Sequence, residues 1–451
     1  MQERNNRGRD KLIEDRLGER ARVYGSERAI LVGLNDPGCN EAARQESMQE
    51  LESLAYTADI STIAWVVQSR PRPDPAFFIG QGKVDELRGM AEGLAADVII
   101  FNSELSPAQA RNLEERLSRK VIDRAQLIMD IFAQRAMTKE ARLQVELAQL
   151  RYLSPRLRGW GEALTRLGGG IGTRGPGETQ LELDRDKIKR RIHTIKQRLI
   201  KAEKERALRR KRRKANPIPK VVLVGYTNSG KSTLLNRLCE AGSPVGDKLF
   251  ATLSIVVRRG GLQRGRKALF IDTVGFITDL PHHLIPAFAA TLEAVRSADL
   301  LLHVVDLGNP RAEENHRTVL AILNREVFFP EDFRPPMLNV LNKVDLAGAR
   351  QRGMGFPDSA IRISARHDPD LGPLTHRIGS ILFHGELRAR LLVPYPASDV
   401  AGALLDTGKA IIKEYREDGA ELEAQLSREE LARLRKRGVR VLTPLAFPVG
   451  G

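Results

Sequence analysis

Nine consecutive residues, Gly225-Tyr226-Thr227-Asn228-Ser229-Gly230-Lys231-Ser232-Thr233, follow the apolar run Val221–Val224 and open an apolar helical pattern. Glycines at this spacing let successive backbone N–H groups curl around phosphate oxygens at a helix N-terminus; Lys231 reaches the outer phosphates and the Ser232 hydroxyl suits Mg2+. Three further segments follow in chain order. Leu269–Ile271 reads as a strand ending in Asp272-Thr273-Val274-Gly275, where a carboxylate can hold a magnesium-bound water and the Gly275 N–H can meet a γ-phosphate. Met337–Leu341 ends in Asn342-Lys343-Val344-Asp345, and Ile361–Ile363 ends in Ser364-Ala365-Arg366. Asp345 discriminates between bases, because a carboxylate accepts the N1–H and 2-amino donors of guanine and adenine offers neither. Adenine would leave that carboxylate unpaired at a cost of at least ~1–3 kcal/mol. Four such segments at the strand ends of a doubly wound sheet read as a GTP site.

The elements that position these residues form one part of a multidomain α/β chain. A length of 451 residues, 41% hydrophobic and 29% charged, exceeds one ordinary domain and is too apolar for a disordered one. Residues 1–122 read as a small α/β domain, with strands at Ala29–Leu34, Ile60–Val67 and Asp97–Phe101 and helices at Lys83–Leu94 and Pro107–Leu117. Its Gly80-Gln81-Gly82-Lys83 turn is ordinary strand-to-helix packing and too short for a phosphate loop. Residues 123–214 change to long helices. Leu143, Leu147, Leu150, Ser154 and Leu157 make one apolar seam and Ile188, Ile192, Ile195, Leu199 and Ala202 another, a pattern that suits a long antiparallel hairpin, with Pro155 expected to kink its first arm. Residues 215–384 form the P-loop GTPase domain. The remaining 385–451 form a small C-terminal α/β domain, with strands at Arg390–Val393, Ile411–Tyr415 and Ala420–Leu426 and helices at Ala397–Asp406 and Arg428–Lys436.

Charge points to a partner. The formal net charge is +16, and Arg185–Lys214 alone carries sixteen basic residues against three acidic ones, ending in Arg209-Arg210-Lys211-Arg212-Arg213-Lys214. A charge run is usually a solvated face, but one this unbalanced is relieved by a phosphate lattice. No aromatic residue interrupts it, so contacts to backbone phosphates or folded RNA are expected rather than base stacking. Anionic membrane is the competing reading, disfavoured because the apolar seam of that helix already has a partner seam and lacks Trp or Phe anchors. The turn between the arms holds Gly168, Gly169, Gly170, Gly172, Arg174, Gly175 and Gly177. Its glycines allow close backbone approach to a surface, and it is longer than the two to eight residues a helical connector usually takes. Two cysteines, Cys39 and Cys239, exclude a disulfide framework and fit a reducing compartment. No apolar stretch reads as a membrane span or signal peptide, so a cytoplasmic protein is expected.

The longer pattern resembles the HflX family of ribosome-binding GTPases. The likeness is carried by Phe78–Lys83 (FIGQGK), Leu127–Ala136 (LIMDIFAQRA), residues 168–182 (GGGIGTRGPGETQLE) and Asp272–Ile277 (DTVGFI), and spans roughly residues 25 to 380. The resemblance implies GTP and Mg2+ as ligands and the large ribosomal subunit with its rRNA as partner. It implies a GTP form that splits stalled ribosomes; no DNA partner and a monomer are expected. By the same likeness Gly225–Ser232 cradle phosphates, and Phe250-Ala251-Thr252 belong to the first switch, with Thr252 and Ser232 on Mg2+ and Asp272 acting through water. Asn342, Lys343 and Asp345 read the base, with the Ala365 amide near the guanine oxygen. After Leu253 the chain runs Ser254-Ile255-Val256-Val257, where the family tends to Asp-Pro-Thr-Thr.

Where Ras-like enzymes place a glutamine to orient the attacking water, this chain has Phe276. No catalytic residue is assignable from sequence, and slow intrinsic hydrolysis with ribosomal stimulation is expected. The alternatives are a regulatory GTP-binding module and an RNA-remodelling NTPase, neither of which splits ribosomes.

Overall fold

The computed structural model describes residues 27–35, 41–156, 176–213, 218–239, 250, 256–277, 289–324, 334–346 and 355–442. Two compact units emerge: the first runs to Lys204 and includes Phe250, and the second takes up from Glu205.

The first unit opens with a four-stranded parallel sheet in the order β2-β1-β3-β4, made of β1 (Arg28–Asn35), β2 (Ser61–Ser69), β3 (Val98–Phe101) and β4 (Lys120–Asp123). β3 is buried throughout, as expected where helices cover both faces of a parallel sheet. Helices α1 (Glu41–Thr57), α2 (Gln81–Gly93), α3 (Pro107–Leu117) and α4 (Arg124–Arg135) link or follow the strands. Local chemistry sets two of their starts. Ser106 and Gln109 cap α3 reciprocally, with Pro107 at its first position. Asp123 accepts from the Gln126 N–H at the start of α4.

Helix α5 (Lys139–Arg156) includes Pro155 within its helical residues, and the expected kink at that proline would involve residues beyond Arg156, outside the described ones. Arg156 donates to Tyr152 O, Leu105 O and Asp123 Oδ2. Along α6 (Pro176–Arg213), Ile188, Ile192, Ile195 and Leu199 pack against Leu143, Leu147 and Leu150 of α5, and Arg191 forms a bidentate pair with Glu146.

The second unit contains a six-stranded sheet in the order β10-β9-β8-β5-β7-β6: β5 (Lys220–Val224), β6 (Val256–Gly261), β7 (Lys267–Asp272), β8 (Leu300–Asp306), β9 (Met337–Asn342) and β10 (Ile361–Arg362). All pairings are parallel except β6 with β7. Helices α7 (Lys231–Leu238), α8 (Ala289–Arg296), α9 (Ala312–Leu323) and α10 (Gly372–Leu382) accompany it. Leu234, Leu235 and Leu238 of α7 pack with Val221, Leu223 and Phe270 of the sheet and with Leu374 and Ile378 of α10. Burying a side chain such as Phe270 contributes about 1.5–3 kcal/mol.

In the same unit, β11 (Leu387–Val393), α11 (Ser398–Asp406), β12 (Ala410–Arg416), β13 (Gly419–Leu426), α12 (Arg428–Lys436) and β14 (Arg440–Val441) form a β-α-β-β-α-β module. Its antiparallel sheet runs β12-β13-β11-β14, the split-βαβ arrangement. Arg266, at the β6–β7 turn, is 3% exposed; it donates to Gln425 O of β13, pairs with Glu386 and lies over the Phe383 ring. No helix among the described residues is long and apolar enough to cross a membrane.

Candidate functional site

β5 delivers the phosphate loop at its C-terminal end, and the chain turns directly into α7. Gly230 caps that helix at φ +90°, a conformation side chains rarely adopt, and a Cβ there would collide with the Asn342 amide. Lys231 is buried; its ammonium donates to Gly225 O at 3.1 Å and Tyr226 O at 2.7 Å. Burial pulls its pKa down to about 8 against the Asp272 charge, with Lys343 adding to the depression. Ser229 is fully buried, with no partner for its hydroxyl among the described residues. Ser232 donates to Asp272 Oδ2 at 2.6 Å, and Thr233 follows in the first turn of α7.

β7 brings the second segment alongside. Asp272 is 1% exposed, Thr273 Oγ1 donates to Leu223 O at 2.6 Å, and Val274 is buried. Gly275 approaches the phosphate loop so closely that a Cβ would lie 2.8 Å from Thr227 Cα and 3.1 Å from Lys231 Nζ. The next residue, Phe276, acts through its backbone: its N–H donates to Gly225 O at 3.0 Å and its carbonyl accepts from the Thr227 N–H at 2.7 Å. The Phe276 ring is buried in the core.

The residues expected to read the base reach the same loop. Asn342 Nδ2 donates to Ser229 O at 2.9 Å, and its Oδ1 accepts from the Ala365 N–H at 2.8 Å. Lys343, at φ +63°, donates to Asn228 O at 2.9 Å and Asp306 Oδ2 at 2.7 Å. Val344 donates through its backbone to Ile363 O. Asp345 is exposed; a hydrogen bond from Ser364 holds its carboxyl below the usual range, and His367 Nε2 stands 3.9 Å away. Arg366 is exposed on the loop beyond Ala365.

Phe250 is 3% exposed and meets Phe132 of α4 edge-on at 4.9 Å between centroids, so its side chain packs within the first unit. Ala251 and Thr252 lie outside the described residues, as do Gly168, Gly169, Gly170, Gly172, Arg174, Gly175 and Lys214. Gly177 and Arg209, Arg210, Lys211, Arg212 and Arg213 belong to α6. Sequence reasoning missed Asp306, the partner of Lys343, and Arg237 of α7, which donates to Ala365 O and Asp368 O. Neither belongs to a motif.

Known proteins share this organisation. Family models described as "GTP-binding GTPase N-terminal", "GTP-binding GTPase Middle Region" and "50S ribosome-binding GTPase" match residues 45–133, 135–213 and 220–343. GTPase HflX of Caldanaerobacter subterraneus subsp. tengcongensis is 44% identical over 423 residues, 94% of this chain and 96% of the relative. GTPase HflX of Escherichia coli K12 is 46% identical over 326 residues, 72% of this chain and 75% of that one. Among solved structures, a GTP-binding protein of Sulfolobus solfataricus in complex with GDP aligns at a TM-score of 0.43 and 24% identity, over 79% of this chain and 98% of that one. A chain that shares this much sequence with these enzymes, and carries its Gly225–Thr233, Asp272–Gly275 and Asn342–Asp345 segments at strand ends of one sheet, belongs to the HflX family of GTPases and hydrolyses GTP.

Proposed function

We propose that this GTPase binds the large ribosomal subunit, that its GTP form separates stalled ribosomes into subunits, and that hydrolysis times its release. The observation that carries this reading is the basic arm: α6 concentrates most of the net charge of the chain on one helix, continuous in sequence with a domain matched by a model described as a 50S ribosome-binding GTPase. Arg209–Lys214 supply the phosphate contacts, and the glycine-rich segment 168–177 supplies close approach to rRNA.

In the nucleotide site, Gly225–Ser232 hold the phosphates, with the Lys231 ammonium, which donates to two loop carbonyls near the Asp272 carboxylate, as their counter-charge. Asn342, Lys343 and Asp345 read guanine. Ser232 and Asp272 present a hydroxyl and a carboxylate 2.6 Å apart, hard oxygen donors that suit Mg2+, with Thr252 as a further ligand and Asp272 acting through water. A Mg2+ ion held there would supply charge neutralisation to the phosphates.

The buried Phe276 ring offers no group to orient water, so intrinsic hydrolysis is slow and a ribosomal surface accelerates it. Loss of the γ-phosphate releases the switch segments and ends the binding-competent form. Density-gradient analysis of ribosomes incubated with the protein tests the whole reading. GTP and a non-hydrolysable analogue should each support one round of subunit separation, and GDP none. Separation with GTP but not with the analogue would contradict a binding-driven mechanism. Binding without separation would favour the regulatory GTP-binding module.

A further inference from the structure

The loop after β10 carries an arrangement that the sequence motifs do not explain. Ser364 N donates to Asp368 Oδ2 at 2.7 Å, Asp368 N returns to Ser364 O at 2.9 Å, and His367 N reaches Ser364 Oγ at 3.1 Å. This tight turn presents its carbonyls to one side chain. Arg237, in the last turn of α7, donates through Nη1 to Ala365 O at 3.2 Å and Arg366 O at 3.5 Å, and through Nη2 to Asp368 O at 2.6 Å.

A cation in the last turn of a helix ordinarily serves that helix's own carbonyls. Arg237 instead reaches across to a segment 128 residues away, and among the described residues no carboxylate forms an ion pair with it. The planar fork of guanidinium donors suits several carbonyls at once; a lysine would supply one point charge.

The geometry has a directional consequence. In a trans peptide the carbonyl and the N–H point opposite ways. Holding Ala365 O and Arg366 O toward α7 therefore turns the amides of Arg366 and His367 away from it. The His367 amide is used inside the turn, and the Ala365 amide, which the family likeness places near the guanine oxygen, is instead used by Asn342 Oδ1. Among the described residues no acceptor meets the Arg366 N–H. We infer that Arg237 is a positioning residue for base discrimination: it ties the phosphate-loop helix to the turn and aims the Arg366 amide at the oxygen of a guanine held by Asp345. This rests on the proposed base pocket.

The test compares Arg237→Met and Arg237→Lys with the parent protein, measuring affinity for GDP, ADP and inorganic pyrophosphate, steady-state GTP hydrolysis, and melting of the nucleotide-free protein. Arg237→Met should bind GDP at least tenfold more weakly and lose preference over ADP by a similar factor. KM for GTP should rise with kcat within twofold, while pyrophosphate affinity and melting stay unchanged. Arg237→Lys should recover part of the loss. An unchanged GDP-to-ADP ratio, or an equal loss for pyrophosphate and GDP, overturns the inference. Asp345→Asn tests the underlying reading separately, because an amide donor should move preference from GDP to xanthosine diphosphate. No such exchange sinks the pocket itself; a normal exchange alongside parental behaviour in Arg237→Met sinks only the role of Arg237.

Discussion

His303 makes acid stability a test of the second unit. It sits in the middle of β8 at 1% exposure, stacked on His316 of α9 at 4.7 Å, and His316 in turn meets Phe356 edge-on. Neither Nδ1 atom has a partner in the described residues. Burial first, then the charges of His316 and Lys231, pushes the pKa of His303 down to about 3 from 6.5. Below pH 6.5 the unfolded chain takes up a proton that the folded chain refuses until near pH 3. Stability therefore falls by about 1.4 kcal/mol per pH unit across that window, roughly 5 kcal/mol in all and about 2 kcal/mol between pH 7.5 and 5.0. His303→Gln removes this titration and leaves the other groups in place. Urea unfolding followed by circular dichroism, at pH 7.5 and 5.0, should show the variant losing about 2 kcal/mol less than the parent over that interval. The variant is expected to be less stable at both pH values, since an amide in that apolar setting is no better satisfied. What matters is the difference in slope. Parallel pH dependences would refute the argument that the imidazole is held neutral.

Other perturbations separate the remaining roles. Neutralising Arg209–Lys214 should weaken co-sedimentation with large subunits and flatten its salt dependence, and an unchanged slope would remove those residues from the phosphate contacts. Gly275→Ala places a methyl against the backbone of Thr227 and should cut GTP hydrolysis more than tenfold, measured by phosphate release under single turnover. Arg266→Met strands the Glu386 carboxylate and the Gln425 carbonyl in a buried setting; thermal unfolding should register a loss of about 3 kcal/mol, and a loss below about 1 kcal/mol would show the pair to be solvated.

Much of the architecture was legible where local chemistry decides it. Pro107–Leu117 and Arg428–Lys436 match their sequence boundaries because Ser106 with Gln109 and Ser427 with Glu430 announce each start with a reciprocal cap. The apolar run before Gly225 could only be a buried strand in that context. Helix α1 was missed: its buried Met48, Leu51, Leu54 and Ala55 are diluted among Glu, Gln, Arg and Ser, so no clear apolar face stands out. The two-residue strand β14 has no pattern to read, and its existence depends on pairing with β11. In the site, residue types in motifs were visible but their partners were not. Asp306 and Arg237 reach their targets across 37 and 128 residues of chain, distances over which spacing carries no information. His303 lies inside an ordinary-looking strand and becomes unusual only when His316 arrives on its face.

The Phe132–Phe250 contact bears on how this enzyme can be dissected. By numbering, Phe250 falls inside the catalytic portion, yet its ring is housed by a helix that ends more than a hundred residues earlier. A fragment beginning near residue 215 would cast that ring into water two positions before Thr252. Turnover measured on such a trimmed protein would describe a molecule in which Phe250 lacks the ring it packs on, so rates should be compared only between proteins that keep Phe132.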